Sequence, residues 1–284
     1  ATLAGGGDAY LTAFSSGGVR LWTTYFGGAG TDVAEDVATD PSGNIIIAGH
    51  CTTTIPVTPG CYQAIHAAGG FDGFIAQFSN AGTLIWSTHA GGEDDDHVMD
   101  VAVNASGEIA IGGYSRSSFQ VSTAGVVQAT RTGGFDAMVM KFDNTGNRLW
   151  GTYFGGTSTE YGRGIDFDGL GNIIMVGETY STNYPTGATA GNSVFQAANA
   201  GGIQDMFAFK LNPTGTSRLW STYIGGATGT DRAFAVSTDA ANNVYVAGNS
   251  FGGFPVTPGV IQTTYSGGSG DGAVIKLAST GSRM

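Results

Sequence analysis

Apolar and polar residues alternate in short runs that recur at a fixed interval along the chain. From Asp136 the text DAMVMKFDNTGNRLWGTYFGG spaces Met138, Met140 and Phe142 two residues apart. Turn formers fill Asp143 to Asn147, and a second extended run opens at Leu149-Trp150 and closes on Gly155-Gly156. Period-two alternation on both sides of a turn predicts a β-hairpin. The same text returns from Asp8, Asp72 and Asp205, and a shorter copy starts at Asp271, so the repeat starts are spaced by 64, 64, 69 and 66 residues. A second hairpin follows each Gly-Gly pair, at 32–49, 97–113, 161–177 and 232–248. Its turns, DPSGN, NASGE, DGLGN and DAANN, put Asp or Asn first and a left-handed position near the end.

Four antiparallel strands per repeat, with no helical pattern between them, predict an all-β fold: a β-propeller of four-stranded blades. With strands A and B from the second hairpin and C and D from the next Asp…Trp hairpin, the chain reads C-D, then A-B-C-D three times, then A-B-C. Residues 1–284 are read as one propeller domain, four blades plus one unmatched strand, in which strand D at 20–26 completes the blade at 232–277. The alternative is part of a larger propeller. The unmatched strand, 8–14 or 271–277, keeps an open edge and is expected to pair further, within the chain or by self-association.

Composition narrows the partners. A formal net charge of −11 disfavours nucleic acid and anionic membrane surfaces. Hydrophobic residues at 41% and charged residues at 12% exclude a disordered polyelectrolyte, and no apolar run reaches the ~18–20 residues of a membrane helix, so no membrane insertion is expected. The opening Ala1-Thr2-Leu3, without an initiator Met, is read as a segment of a longer precursor.

The motifs D-x-F, L-W-S-T-Y-x-G-G, G-N-x-x-V-x-G and FPVTPG, covering 8–284 in regular order, resemble the SBBP repeat, a bacterial family named for a seven-bladed β-propeller. The resemblance implies export, within large cell-surface or secreted proteins, and no single activity.

Repetition also sorts the chemistry, because a residue present in every unit serves the scaffold and a site breaks the pattern. The four tryptophans (Trp22, Trp86, Trp150, Trp220) share one repeat position and read as blade packing. The starting aspartates read as turn acceptors. Gln63, Gln128, Gln196 and Gln262, eight or nine residues before them, read as partners for loop backbone.

A second acidic position, Asp32, Asp96, Glu160 and Asp231, enters strand A, where ring closure would gather four carboxylates that either hold Ca²⁺ or cap their own turns. No cofactor is required by the sequence. Private to one blade is Glu93-Asp94-Asp95-Asp96-His97, a candidate for contact with a metal or partner, or an exposed acidic loop. Asp166 to Asn172 superficially suggests a calcium loop but falls on a hairpin turn. Cys51 and Cys61 replace unrelated residues in one long loop and are expected to form a disulfide, with two free thiols as the alternative.

Enzyme signatures such as G-x-S-x-G, H-E-x-x-H or a phosphate-binding G-x-x-x-x-G-K are absent. The leading expectation is a secreted, non-catalytic structural or adhesive module that binds other protein domains or chains. Surface glycans, met by Tyr161, Arg163, Tyr180 and Tyr184, are the second reading, and a polysaccharide lyase or hydrolase the third.

Overall fold

A computed structural model describes residues 2–189 and 193–284. Strands β1 (Ala9–Phe14) and β2 (Arg20–Phe26) form a two-stranded sheet. Four-stranded sheets follow in chain order, β3 (Asp32–Thr39), β4 (Ile45–Cys51), β5 (Asp72–Phe78) and β6 (Leu84–Ala90), then β7 (Asp96–Val103), β8 (Ile109–Ser115), β9 (Asp136–Phe142) and β10 (Arg148–Phe154). The next sheet runs β11 (Glu160–Phe167), β12 (Ile173–Thr179), β14 (Asp205–Leu211) and β15 (Arg218–Ile224). The two-residue β13 (Gly187–Ala188) joins its outer edge. The last sheet has three strands, β16 (Asp231–Thr238), β17 (Val244–Ser250) and β18 (Asp271–Leu277). Each A-B-C-D block of the sequence is thus one antiparallel sheet, as blade repeats require.

The ends differ from expectation. Strand β2 pairs with β1, in the register Tyr10↔Tyr25, and not with β18. Beyond β18 the described residues offer only an isolated bridge, Leu277↔Arg283. The expected completion of the last blade by the strand at 20–26 is therefore not made. The hairpin β1-β2 is a C-D pair already in C-D register, and separating it would expose two sets of strand amides.

By packing, the chain divides into two compact units, 1–123 with 139–151 and 124–138 with 152–284. In the first, Leu11 and Phe26 pack on Ile47, Phe74 and Phe78, with ring centroids of Phe26 5.5 Å from Phe74 and 5.6 Å from Phe78. In the second, Ile174, Val176, Ala208 and Trp220 meet Ala233, Val244, Val246 and Leu277. Each core lies between two sheets stacked face to face.

Local chemistry explains the turns. Asp40 Oδ1 accepts the N–H groups of Ser42 and Asn44 at 2.8 Å, and Asp168 repeats this with Leu170 and Asn172 at 2.9 Å, which confirms that Asp166 to Asn172 is a hairpin turn. The left-handed position is Gly43 (φ +81°) in one turn and Asn242 (φ +62°) in another, the two residue types that adopt it most readily. Strand C closes each turn from beside it: Lys210 meets Asp168 at 2.6 Å and Lys141 meets Glu108 at 2.9 Å, both lysines almost fully buried.

The tryptophans join successive blades. Trp22 donates its indole N–H to the Asn80 carbonyl at 2.9 Å, Trp86 to Asn144 at 3.2 Å and Trp220 to Ser279 at 3.0 Å. Each ring covers the glycine of that turn, Gly82, Gly146 or Gly281, so closely that a Cβ there would stand under 3 Å from the indole. Trp86, Trp150 and Trp220 are buried, and Trp22 is half-buried.

Candidate recognition surface

Strand A begins on a carboxylate in every blade, and the structure shows what it does. Asp32, Asp96, Glu160 and Asp231 are buried. They accept the N–H of Gly28, Gly92, Gly156 and Gly226 at 2.8, 2.6, 2.8 and 2.9 Å. Hydroxyls complete some of them: Ser117 donates to Asp96 at 2.7 Å and Thr179 to Glu160 at 2.6 Å. The Gly-Gly pair follows from this packing, since a Cβ on Gly27 or Gly155 would lie 2.4 Å from the carboxylate oxygen. Burial raises the pKa of all four, that of Asp96 to about 7.

These carboxylates were candidates for a Ca²⁺ ring. Among the described residues, no group of three or more His, Cys, Asp or Glu side chains could hold a metal ion. Each of the four anchors the chain reversal at the entry to its own blade. The starting aspartates act likewise on the preceding loop: Asp72 accepts Ala67 N–H at 2.5 Å, Asp136 accepts Thr132 at 2.9 Å and Asp271 accepts Ser266 at 2.6 Å.

The cysteine expectation needs correction. Cys51 and Cys61 are both free. Cys51 pairs with Asp32 at the end of strand B, as Ser115 pairs with Asp96, Thr179 with Glu160 and Ser250 with Asp231. Its Sγ lies 3.5 Å from the Asp72 carbonyl oxygen and 3.5 Å from His89 Nδ1. The thiol thus fills a strand-end position that takes a small hydroxyl elsewhere. Burial pushes its pKa well up, so it is a poor nucleophile.

The private acidic segment is bonded to loops of its own blade and of the one before it. Glu93 accepts the Ser118 N–H at 2.6 Å, and Asp95 accepts those of Gly70 and Phe71 at 3.1 Å. Asp94 accepts the Asp95 N–H at 2.9 Å and stands 3.6 Å from Arg116. These carboxylates order two loops around the entry to β7. His97 is the member that faces outward, half-buried in an aromatic group: its ring lies 4.5 Å from His50, 4.8 Å from Phe71 and, stacked, 4.8 Å from Tyr114. Glu35 reaches His50 Nδ1 at 3.8 Å, while burial lowers the pKa of that imidazole.

The second unit carries its own version at the same repeat position. Tyr161 lies 5.7 Å from Phe135 and 6.3 Å from Tyr180. Arg163 stands over the Tyr161 ring at 5.6 Å and binds Glu178 at 2.9 Å. Tyr184 lies apart from this group, buried and stacked on Phe207 at 5.1 Å, so it is a packing residue.

Strand A has one irregularity in each blade. Its register with strand B shifts between Ala34 and Asp36, Val98 and Asp100, Gly162 and Gly164, and Ala233 and Ala235. The extra residue is Glu35, Met99, Arg163 or Phe234, an acid, a thioether, a base and an aromatic ring on one constant frame. A bulge re-aims its side chain, so this is where a repeat fold displays variety. Sequence reasoning singled out Arg163 and His97 but missed Glu35, His50, Phe71, Phe135, Tyr114 and Glu178. Their signal was variation between repeats at aligned positions of strands A and B and of the residue just before strand C.

Three stretches of the chain, 21–51, 149–185 and 219–255, match the SBBP β-propeller repeat family model, each beginning on the Leu of a Leu-Trp pair. The chain is 23% identical over 294 residues to an uncharacterized WD repeat-containing protein of Acanthamoeba polyphaga mimivirus, covering 85% of this chain and 21% of that protein. It is 25% identical over 264 residues to the regulatory protein FlaEY of Caulobacter vibrioides, covering 87% of this chain and 26% of that protein. The chain therefore spans about a fifth and a quarter of the length of these two relatives.

Proposed function

We propose that this chain is a non-catalytic recognition module whose partner is another protein, met by the strand-A entries and their bulges. The observation that carries the reading is the division of labour within the repeat. The recurrent polar side chains are engaged inside their own blades, whereas the bulge residue and its neighbours change character from blade to blade. Constant scaffold with variable display is the arrangement of a binding surface, since specificity is set by a few side chains held on rigid elements. The WD repeat name of one relative and the regulatory name of the other agree with a binding role and with no particular chemistry. Placement at the cell surface or outside the cell is part of the proposal and rests on the resemblance to the SBBP repeat.

A glycan is the second reading, favoured by the aromatic group Phe135, Tyr161 and Tyr180 beside the Arg163–Glu178 pair, a combination suited to sugar stacking and hydroxyl binding. Crosslinking to extracts of the source cells, alongside a glycan array, separates the two. A crosslinked protein lost in His97→Ala, with no glycan retained, is the expected result. Retained glycan that Tyr161→Ala abolishes would replace the protein reading with the sugar one.

A further inference from the structure

One imidazole of the first unit is buried with half of its hydrogen bonding unmet. His50 is 8% exposed, and among the described residues its Nδ1 has no hydrogen-bond partner. The Val98 backbone draws the pKa of the ring up, as a carbonyl that accepts from it does. Nε2 is therefore the protonated nitrogen, and Nδ1 carries a buried lone pair. Burial lowers the pKa of the ring overall, which keeps that lone pair open at neutral pH. A buried acceptor is costly unless something donates to it.

The group that faces Nδ1 is itself an acceptor. Glu35 Oε1 stands 3.8 Å away, beyond hydrogen-bonding reach. Glu35 is the bulge residue of β3, it is open to solvent, and among the described residues no lysine or arginine pairs with it. Phe71 meets the His50 ring edge to face at 5.0 Å, and His97 lies 4.5 Å from it with Tyr114 stacked behind at 4.8 Å. One donor placed about 2.9 Å from each acceptor would satisfy both. Beside a carboxylate and aromatic rings, that donor is favoured if it is a cation.

Elsewhere the repeat supplies such a cation from its own chain. In the second unit Glu178 holds the strand-B position of His50, each opposite the second residue of strand A, and Phe135 precedes strand C as Phe71 does. There the bulge residue is Arg163, which binds Glu178 at 2.9 Å and stands 5.6 Å over the Tyr161 ring. In the last blade Arg232 stands 5.9 Å over Phe251. At the bulge of β3 a carboxylate takes the place of the guanidinium.

We propose that Glu35 and His50 Nδ1, beside Phe71 and His97, form a receptor for one basic side chain of the protein partner, arginine by preference. The fork of N–H groups in a guanidinium can meet both acceptors while its plane lies against a ring. The proposal rests on the reading of the strand-A entries as a protein-binding surface and adds the chemistry of the partner. That partner offers a basic segment, complementary to the formal charge of −11 on this chain.

The test is a titration of N-acetyl-arginine methylamide into the intact chain, with the ring C–H signals of the four histidines followed by NMR. N-acetyl-citrulline methylamide, its uncharged counterpart, is the control. Saturation in the millimolar range that moves His50 and His97 and leaves His66 and His89 in place is expected. Glu35→Gln should weaken binding about fivefold, as loss of the charge on a partly exposed partner does, and Glu35→Asp less. His50→Phe, which keeps a ring and removes the acceptor, should weaken it too, read at His97. Equal shifts with the citrulline compound, no saturation, or unchanged binding in Glu35→Gln overturns the proposal. If that happens while the crosslinked partner is still lost in His97→Ala, the basic-side-chain receptor alone is wrong. A crosslink that survives His97→Ala overturns the strand-A reading, and the receptor then stands or falls on the titration.

Discussion

At the scale of single residues, repetition is the best guide and its exceptions mislead. Cys51 looked like a private substitution paired with Cys61, because both depart from their counterparts. The structure shows Cys51 at a strand-end position, paired with Asp32, that takes a small side chain in every blade: Ser115, Thr179 and Ser250 elsewhere. Spacing in the chain could not reveal which way the side chain turns. Two consequences are measurable by thiol labelling with mass detection. Cys61, half-buried in its loop, should react in the native protein, and Cys51 only after denaturant is added. Equal protection of both without reductant, released by reductant, would restore the disulfide.

Strands and turns were legible almost to the residue, since alternation, Asp-first turns and Gly-Gly closures each report a backbone requirement. Less legible was how strands from different repeats meet, because the hydrophobic pattern of one strand does not name its neighbour. The tryptophan positions predict core packing, and three of them are core, but Trp22 is half-buried. Trp220→Ala should therefore cost about 3–5 kcal/mol in chemical denaturation, as large aromatic truncations do, and Trp22→Ala clearly less. Turn glycines divide in the same manner. Gly18 (φ +78°) has open space around it, whereas Gly146 (φ +86°) has the Trp86 ring 2.7 Å from where a Cβ would stand. Gly18→Ala should lose only the left-handed penalty, about 1–2 kcal/mol, while Gly146→Ala adds displacement of the indole and should lose more. Equal losses would mean that the tryptophan is loosely held. The bulges of strand A, invisible to a period-two reading, are the part of the recognition surface that required the structure.

For the whole molecule, the formal charge of −11 conceals where the acids are: eight of them lie as neighbouring pairs at the blade reversals, Asp8 with Asp32, Asp72 with Asp96, Asp136 with Glu160, and Asp205 with Asp231. Because these are engaged with backbone amides and form no group able to hold an ion, EDTA and millimolar Ca²⁺ should give the same Tm; a rise with Ca²⁺ would show a site by mass action. Their protonation has a sharper consequence. Burial raises Asp96 to about 7 and Asp205 to about 6, so the folded chain keeps protons that the unfolded chain releases near pH ~4. A raised carboxyl pKa contributes stability below the unfolded value that is lost as pH rises through the folded one. Burial lowers His89 to about 4 and also lowers His50, which acts in the opposite sense below pH ~6.5 and offsets the carboxyls there. The unfolded histidines are only half neutral at pH ~6.5, so their opposing contribution fades over the next unit while Asp96, whose neighbour Asp72 opposes its ionisation, is still titrating. The share of the stability that Asp96 carries, read by denaturant as the difference between the parent chain and Asp96→Asn, should therefore fall between about pH 6.5 and 8. Asp96→Asn keeps an oxygen for the Gly92 N–H and removes the proton, so its stability should lack that fall and change more favourably with pH than the parent chain's. The same slope in Asp96→Asn and in the parent chain would assign the loss to another group.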